Sequence, residues 1–281
     1  MKHAQINGAT ITYDTEGSGE AVLLLHCGLV GESSYPLMHQ PALTTRYQLI
    51  HYNRRGYGAS DSVQPPFSME AQAADALALL DTLGIEQAHL AGHSLGAIVA
   101  LEVARRAPAR VATLTLLEPP LVFALSPQSG QFMGSAIGQA VHSFMKGEVE
   151  RAVNEWLDPA FGPGWQEICN RALPGGYTQV VHDGPAALSV EAAALQSWDF
   201  GPDDLSKIQQ PTLAIYHRDS RFTLFDEVQA KLVASIPHVE SVEIAVGSHL
   251  LQIEDPQAVA EALASFLQRH SLTTSDRAQH L

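Results

Sequence analysis

Short apolar runs of strand length recur along the first half of the chain and alternate with longer segments whose apolar residues fall at helical spacing. Ala9 to Tyr13 alternates apolar and polar residues, and a turn-prone stretch from Asp14 to Glu20 follows it. With Asn7-Gly8 just ahead, this predicts an opening hairpin. Ala21 to His26 is an apolar run, the pattern of a strand covered on both faces. Tyr47 to Tyr52, Ala88 to Ala91 and Val111 to Leu117 are further strand candidates. Between them, Ser68 to Leu83 and Leu95 to Ala107 are rich in Ala and Leu and predict helices. Ser68 offers an N-cap and Gly84 follows the first helix; Arg105-Arg106 occupies the last turn of the second, and Pro108 stops it.

The alternation resumes at Pro211. Thr212 to Tyr216 and Ser241 to Ala245 predict strands, Leu224 to Ile236 a helix, and Pro256 to Leu267 a closing helix with Asp255 at its N-cap. The stretch between breaks the pattern. Gly134 to Phe144, Val149 to Leu157 and Pro185 to Leu195 look helical, separated by Gly-Pro-Gly and Pro-Gly-Gly. An unstructured loop of that length is uncommon in a compact domain. The expectation is an α/β core built from residues 1–119 and 211–270, a helical cap over residues 120–210, and a frayed tail at 271–281.

Composition narrows the function classes. The 281 residues are 46% hydrophobic, ample for a core, and 16 Lys and Arg against 30 Asp and Glu give a net charge of −14. That balance argues against nucleic acid and against an anionic membrane surface, both of which need a basic footprint. No apolar stretch approaches a membrane span, no leader is visible at the start, and Cys27 and Cys169 form neither a disulfide framework nor a metal pattern. The reading is a soluble, cytoplasmic protein.

Gly92-His93-Ser94-Leu95-Gly96 carries the chemistry. Gly-x-Ser-x-Gly between a strand and a helix marks a turn so sharp that only glycine fits two residues to either side of the serine. The turn lifts the hydroxyl off the sheet at a helix N-terminus, whose dipole favours developing negative charge. In this context the chain resembles the α/β-hydrolase fold with a cap, over roughly residues 8–119 and 211–267. Leu24-Leu25-His26-Cys27-Gly28 is similar to that family's strand-then-His-Gly turn, and Tyr52 to Ser60 resembles its Asp-x-Arg-Gly-x-Gly-x-Ser loop. Gly247-Ser248-His249 resembles its terminal Gly-x-Gly-His segment. Cys27 and Asn53 depart from the family pattern. The resemblance implies a mostly parallel, doubly wound sheet.

A serine hydroxyl needs a neighbouring base. Of the 13 histidines, His249 has the position for it, after the last expected strand and in the chain order known for this fold. His26 at a strand end is read as a loop brace, and Cys27 as a small buried thiol. The expected oxyanion donors are the backbone N–H groups of Leu95 and, by resemblance, of Gly28, with Leu29 as the alternative.

Two carboxylates compete to orient His249. The commoner place follows the strand Thr212 to Tyr216 in a Gly-x-x-Asp turn, but here the chain reads His217-Arg218-Asp219-Ser220, without the Gly and with Asp219 one residue early. Glu118 ends the preceding strand and is held by Pro119-Pro120. A glutamate there resembles haloalkane dehalogenases and zearalenone-type lactonases. Glu118 is the expected acid and Asp219 the alternative.

These residues imply a serine hydrolase acting on a small to medium, apolar ester or lactone through an acyl-enzyme, with no cofactor and no metal. Ser at the elbow separates the chain from dehalogenases and epoxide hydrolases, which use Asp. A C–C bond hydrolase, a cofactor-free haloperoxidase and a non-catalytic small-molecule binder share the fold and remain alternatives. Aromatic and Met residues of the insertion (Phe123, Phe132, Met133, Phe144, Met145, Trp156, Phe161, Trp165, Trp198) are expected to wall a pocket or simply pack the cap.

Overall fold

The computed structural model describes residues 1–218 and 223–272. Eight strands form one sheet in the order β1-β2-β4-β3-β5-β6-β7-β8. They are β1 (Lys2–Ile6), β2 (Ala9–Gly17), β3 (Glu20–Leu25), β4 (Tyr47–Tyr52), β5 (Ala88–His93), β6 (Val111–Leu117), β7 (Thr212–Tyr216) and β8 (Val239–Glu243). β1 and β2 are antiparallel, β2 meets β4 antiparallel, and every later pair is parallel. Beyond the opening hairpin this is the α/β-hydrolase fold.

The unbroken apolar runs have a direct cause. On β3, Leu23 and Leu25 face one buried cluster, with α1 (Met69–Thr82) and α2 (Leu95–Arg106). Val22 and Leu24 face another, with the closing helix Pro256–Arg269 and two short helices, Tyr35–Met38 and Pro41–Thr44. A strand sandwiched in this way must be apolar at every position.

The insertion after β6 is helical: α3 (Pro127–Met145), α4 (Val149–Phe161), α5 (Trp165–Ala172), α6 (Gly176–Ala186), a π-helical turn (Ala187–Glu191) and α7 (Ala192–Ser197). It has its own apolar cluster, which takes in Cys27, Leu29, Val30 and Leu250 from the loops at the sheet edge. α8 (Leu224–Ser235) and α9 (Pro256–Arg269) complete the core.

Several boundaries differ from those expected. β2 continues through Asp14, Thr15 and Glu16, because an antiparallel strand pairs through its backbone and tolerates polar side chains on an open face. β8 begins two residues early, with Val239 opposite Thr212; the apolar Ile244 turns instead under the sheet to join the second cluster. α3 starts at Pro127, with the Ser126 hydroxyl capping Ser129 N–H, and Gly130, Gly134 and Gly138 obscured it in the sequence. α4 runs past Pro159, and α5 was not expected. Pro185 withdraws an amide donor just ahead of the π-helical turn.

Candidate active site

Sheet register brings the site together. His93 of β5 lies level with Leu117 of β6, and Leu117 with Ile215 of β7. The residues that follow, Ser94, Glu118 and His217, therefore leave the sheet along one carboxyl edge. Ser94 N–H bonds Leu117 O (2.8 Å), and Glu118 N–H bonds Ile215 O (3.3 Å), tying the strand ends to one another. The strand order reverses around β3 and β5, where open α/β sheets place their ligands.

Ser94 has φ 52° and ψ −118°, a backbone conformation that costs a non-glycine residue about 1–3 kcal/mol and survives where the surroundings enforce it. The flanking glycines show the enforcement. A Cβ on Gly92 would overlap the carbonyl oxygen of Gly96, and one on Gly96 would overlap that of Leu25. Ser94 is half-buried and lines a cleft at the sheet edge.

His249 lines the same cleft. Its loop is held by Glu254, which accepts hydrogen bonds from Gly247 N–H (3.1 Å) and the Ser248 hydroxyl. The imidazole stacks on Phe225 (centroids 4.3 Å apart, 13° between planes) and meets His93 at 4.6 Å. Its Nδ1 donates to Glu118 Oε2 at 2.5 Å, which leaves Nε2 as the basic nitrogen of the neutral ring.

Glu118 also has a left-handed backbone, φ 46°, immediately before Pro119. Its other oxygen, Oε1, accepts from the main-chain N–H of His217 (2.7 Å) and from His217 Nδ1 (2.6 Å). Burial by itself pushes Glu118 up; hydrogen bonds from His217 and His249 outweigh it, and the carboxyl lies below the ordinary glutamate value. Asp219, the alternative acid, lies outside the described residues.

The amide of Leu95 heads α2, where no intrahelical carbonyl reaches it. Across the cleft, Cys27 N–H bonds the Ser33 hydroxyl (3.1 Å) and Leu29 N–H bonds the Tyr57 hydroxyl (3.1 Å). Leu29 is thus corrected as an alternative oxyanion donor, its N–H being already engaged. Gly28 is half-buried and lines the cleft. Burial lowers His93 well below the ordinary histidine value and raises the Cys27 thiol to about 11, so neither is a ready base or nucleophile at neutral pH. His26 braces the loop as expected: Nδ1 donates to Cys27 O (2.8 Å), and Nε2 accepts from Arg54 N–H (3.1 Å).

A second network was not expected. Glu191, on the π-helical turn of the insertion, accepts from Arg54 Nη2 (2.8 Å) and from the Tyr57 hydroxyl (2.6 Å). Arg54 also donates to the backbone oxygens of His26 and Cys27. The insertion is in this way bonded to the turn that carries Gly28. Arg54 and Tyr57 belong to the recognisable loop; nothing in the sequence marked Glu191 as their partner.

The cleft encloses about 960 Å³, counting the space at its open mouth. Phe132, Met133, Trp156 and Phe161 line it as expected. The other aromatic and Met candidates do not: Trp165 is wholly buried, Met145 is 81% exposed, and Trp198 stacks on Phe200. Among the described residues no group of His, Cys, Asp and Glu converges as a metal site, and no helix is long and apolar enough to cross a membrane.

Comparison with known proteins places this geometry. The chain is 26% identical over 268 residues to an Azorhizobium caulinodans protein provisionally named carbamate hydrolase RutD, covering 95% of this chain and 98% of the relative. The fold superimposes on a thermophilic esterase from Thermogutta terrifontis (TM-score 0.78, 21% identity, 96% of this chain and 100% of that one). It also superimposes on the enol-lactonase from Burkholderia xenovorans LB400 (TM-score 0.76, 22% identity, 95% and 100%). Residues 22–262 match the family model described as the alpha/beta hydrolase family, and the chain belongs to that family.

Proposed function

We propose that the protein is a serine hydrolase that cleaves a small to medium, apolar ester or lactone by way of an acyl-enzyme. Ser94 Oγ attacks the carbonyl carbon while His249 Nε2 takes its proton. The oxyanion that forms accepts hydrogen bonds from the amides of Gly28 and Leu95. The imidazolium is stabilised by Glu118, and passes its proton to the departing alkoxide oxygen. Water, deprotonated by the same ring, then attacks the acyl-enzyme and restores the Ser94 hydroxyl. The observation that carries this reading is the 2.5 Å contact of a buried Glu118 carboxylate with His249, whose ring shares a cleft with a strained Ser94.

The apolar lining favours a hydrocarbon acyl or alcohol group, and an esterase and an enol-lactonase among the structural neighbours support an ester or lactone substrate. The test is hydrolysis of a panel of p-nitrophenyl esters and lactones by the wild type and by Ser94→Ala. Turnover of at least one substrate is expected, falling to background in the variant. A panel untouched by the wild type, or turned over equally by Ser94→Ala, contradicts the proposal.

A further inference from the structure

Glu118 carries two imidazoles, and the triad uses one of them. His217 sits at the end of β7, where the family's pattern has a glycine, and its main-chain N–H and its Nδ1 converge on Oε1 of Glu118, at 2.7 Å and 2.6 Å. The His217 side chain is 1% exposed and that of Glu118 0%. We infer that His217 is a positioning residue: it clamps one oxygen of Glu118 so that the other faces His249. The inference rests on the triad reading and adds a fourth member to it.

The physical need is specific to an acid at this place. The final torsion of a glutamate is soft, with no steep staggered wells to fix the direction of its oxygens. Glu118 also stands on a left-handed residue before a proline, so its backbone is under tension. Two N–H donors from one residue fix the torsion, and they satisfy a carboxylate that burial would otherwise protonate. Among the described residues, the titratable groups facing this pair include His249 and, beyond its ring, His93; Phe225 packs against both His217 (5.9 Å) and His249 (4.3 Å).

The experiment compares wild type, His217→Ala and His217→Asn on the best ester of the panel, with a fluorophosphonate labelling rate measured in parallel. In His217→Ala, kcat is expected to fall about 10- to 100-fold, the size of one lost hydrogen bond to a charged group, with KM within about 2-fold. The acidic limb of its pH profile moves to higher pH, because Glu118 with fewer donors keeps its proton longer. Asn places an amide N–H where Nδ1 was, and is expected to recover most of the rate and the wild-type limb. If His217→Ala does not fold, His217→Gln replaces it; its amide reaches the Nε2 position instead, and the same loss is expected. Wild-type kcat and limb in His217→Ala, or Asn as slow as Ala, overturns the inference. A wild type that resists the probe and turns over no substrate overturns the triad reading itself.

Discussion

The carboxyl edge of the sheet and the helical insertion above it are held by different forces. At the edge, positions are fixed by backbone hydrogen bonds between strand ends, by glycines that admit no Cβ, and by left-handed residues at Ser94 and Glu118. The insertion is held mainly by apolar packing around residues such as Val153, Leu157 and Leu188, plus a buried ion pair, Arg54 to Glu191 at 2.8 Å. Strain and directional bonds give the precision that proton transfer needs. Apolar contact gives a wall that can change without disturbing it. Substitutions at the edge should therefore act on kcat, and those in the insertion on KM and substrate range.

The largest effect is expected at the acid. Glu118→Gln removes the charge that stabilises the His249 cation, and kcat should fall by about 10³- to 10⁴-fold, the scale seen when a triad acid becomes an amide. Asp219→Asn should keep most of the rate. Steady-state kinetics of the two variants decide the acid, and a crippled Asp219→Asn beside a near-normal Glu118→Gln would reverse the assignment.

The second effect lies at the seam between the regions. Glu191→Ala leaves Arg54 buried without its anion, which typically costs about 3–5 kcal/mol. For a chain of this size the melting temperature should drop on the order of 10 °C, read by calorimetry. Tyr57→Phe keeps that ion pair but frees Leu29 N–H, and should lower kcat about 10-fold with little change in melting temperature. If Tyr57→Phe instead changes KM alone, the network belongs to the wall and not to the oxyanion turn.

Within the wall, Trp156→Ala enlarges the cleft at one side. It should shift preference toward longer acyl chains by roughly 3- to 10-fold in kcat/KM, with kcat on short esters near wild type.

Legibility in the sequence follows the same division. β4, β6 and β7 were bounded to the residue, because their mostly apolar runs end against polar or proline residues at both ends. Ser94 was marked by a glycine-flanked turn whose steric demands leave few alternatives, and His249 by its place after the last expected strand. Glu118 stood out through the two prolines that follow it. His217 was visible only as a missing glycine: the departure was plain, but the carboxylate it meets lies 99 residues away in the chain. The insertion read poorly for physical reasons. Three glycines diluted α3, prolines lie inside α4 and α6, and a half-exposed helix needs no strict apolar period. Glu191 could not be singled out, since a buried ion pair is defined by the partner that folding brings.

A further effect is expected on acid stability. His51 is buried, and burial lowers it to about 4 from the ordinary 6.5. Between those values the unfolded chain binds a proton that the folded one does not, so stability should fall as pH drops from about 6.5 to about 4. Buried His26 and His93 act in the same direction. Urea titrations should show a shallower fall in His51→Phe, by up to about 1.4 kcal/mol per pH unit. An unchanged slope would mean that His51 is protonated in the folded protein.

The most direct measurement concerns the hydroxyl at the elbow. After reaction of the wild type with a fluorophosphonate at neutral pH, peptide mass mapping should find one phosphonylated residue, Ser94. The adduct should form much more slowly in Glu118→Gln and not at all in Ser94→Ala. An unlabelled Ser94, or an adduct carried by another residue, would contradict a nucleophilic serine served by His249.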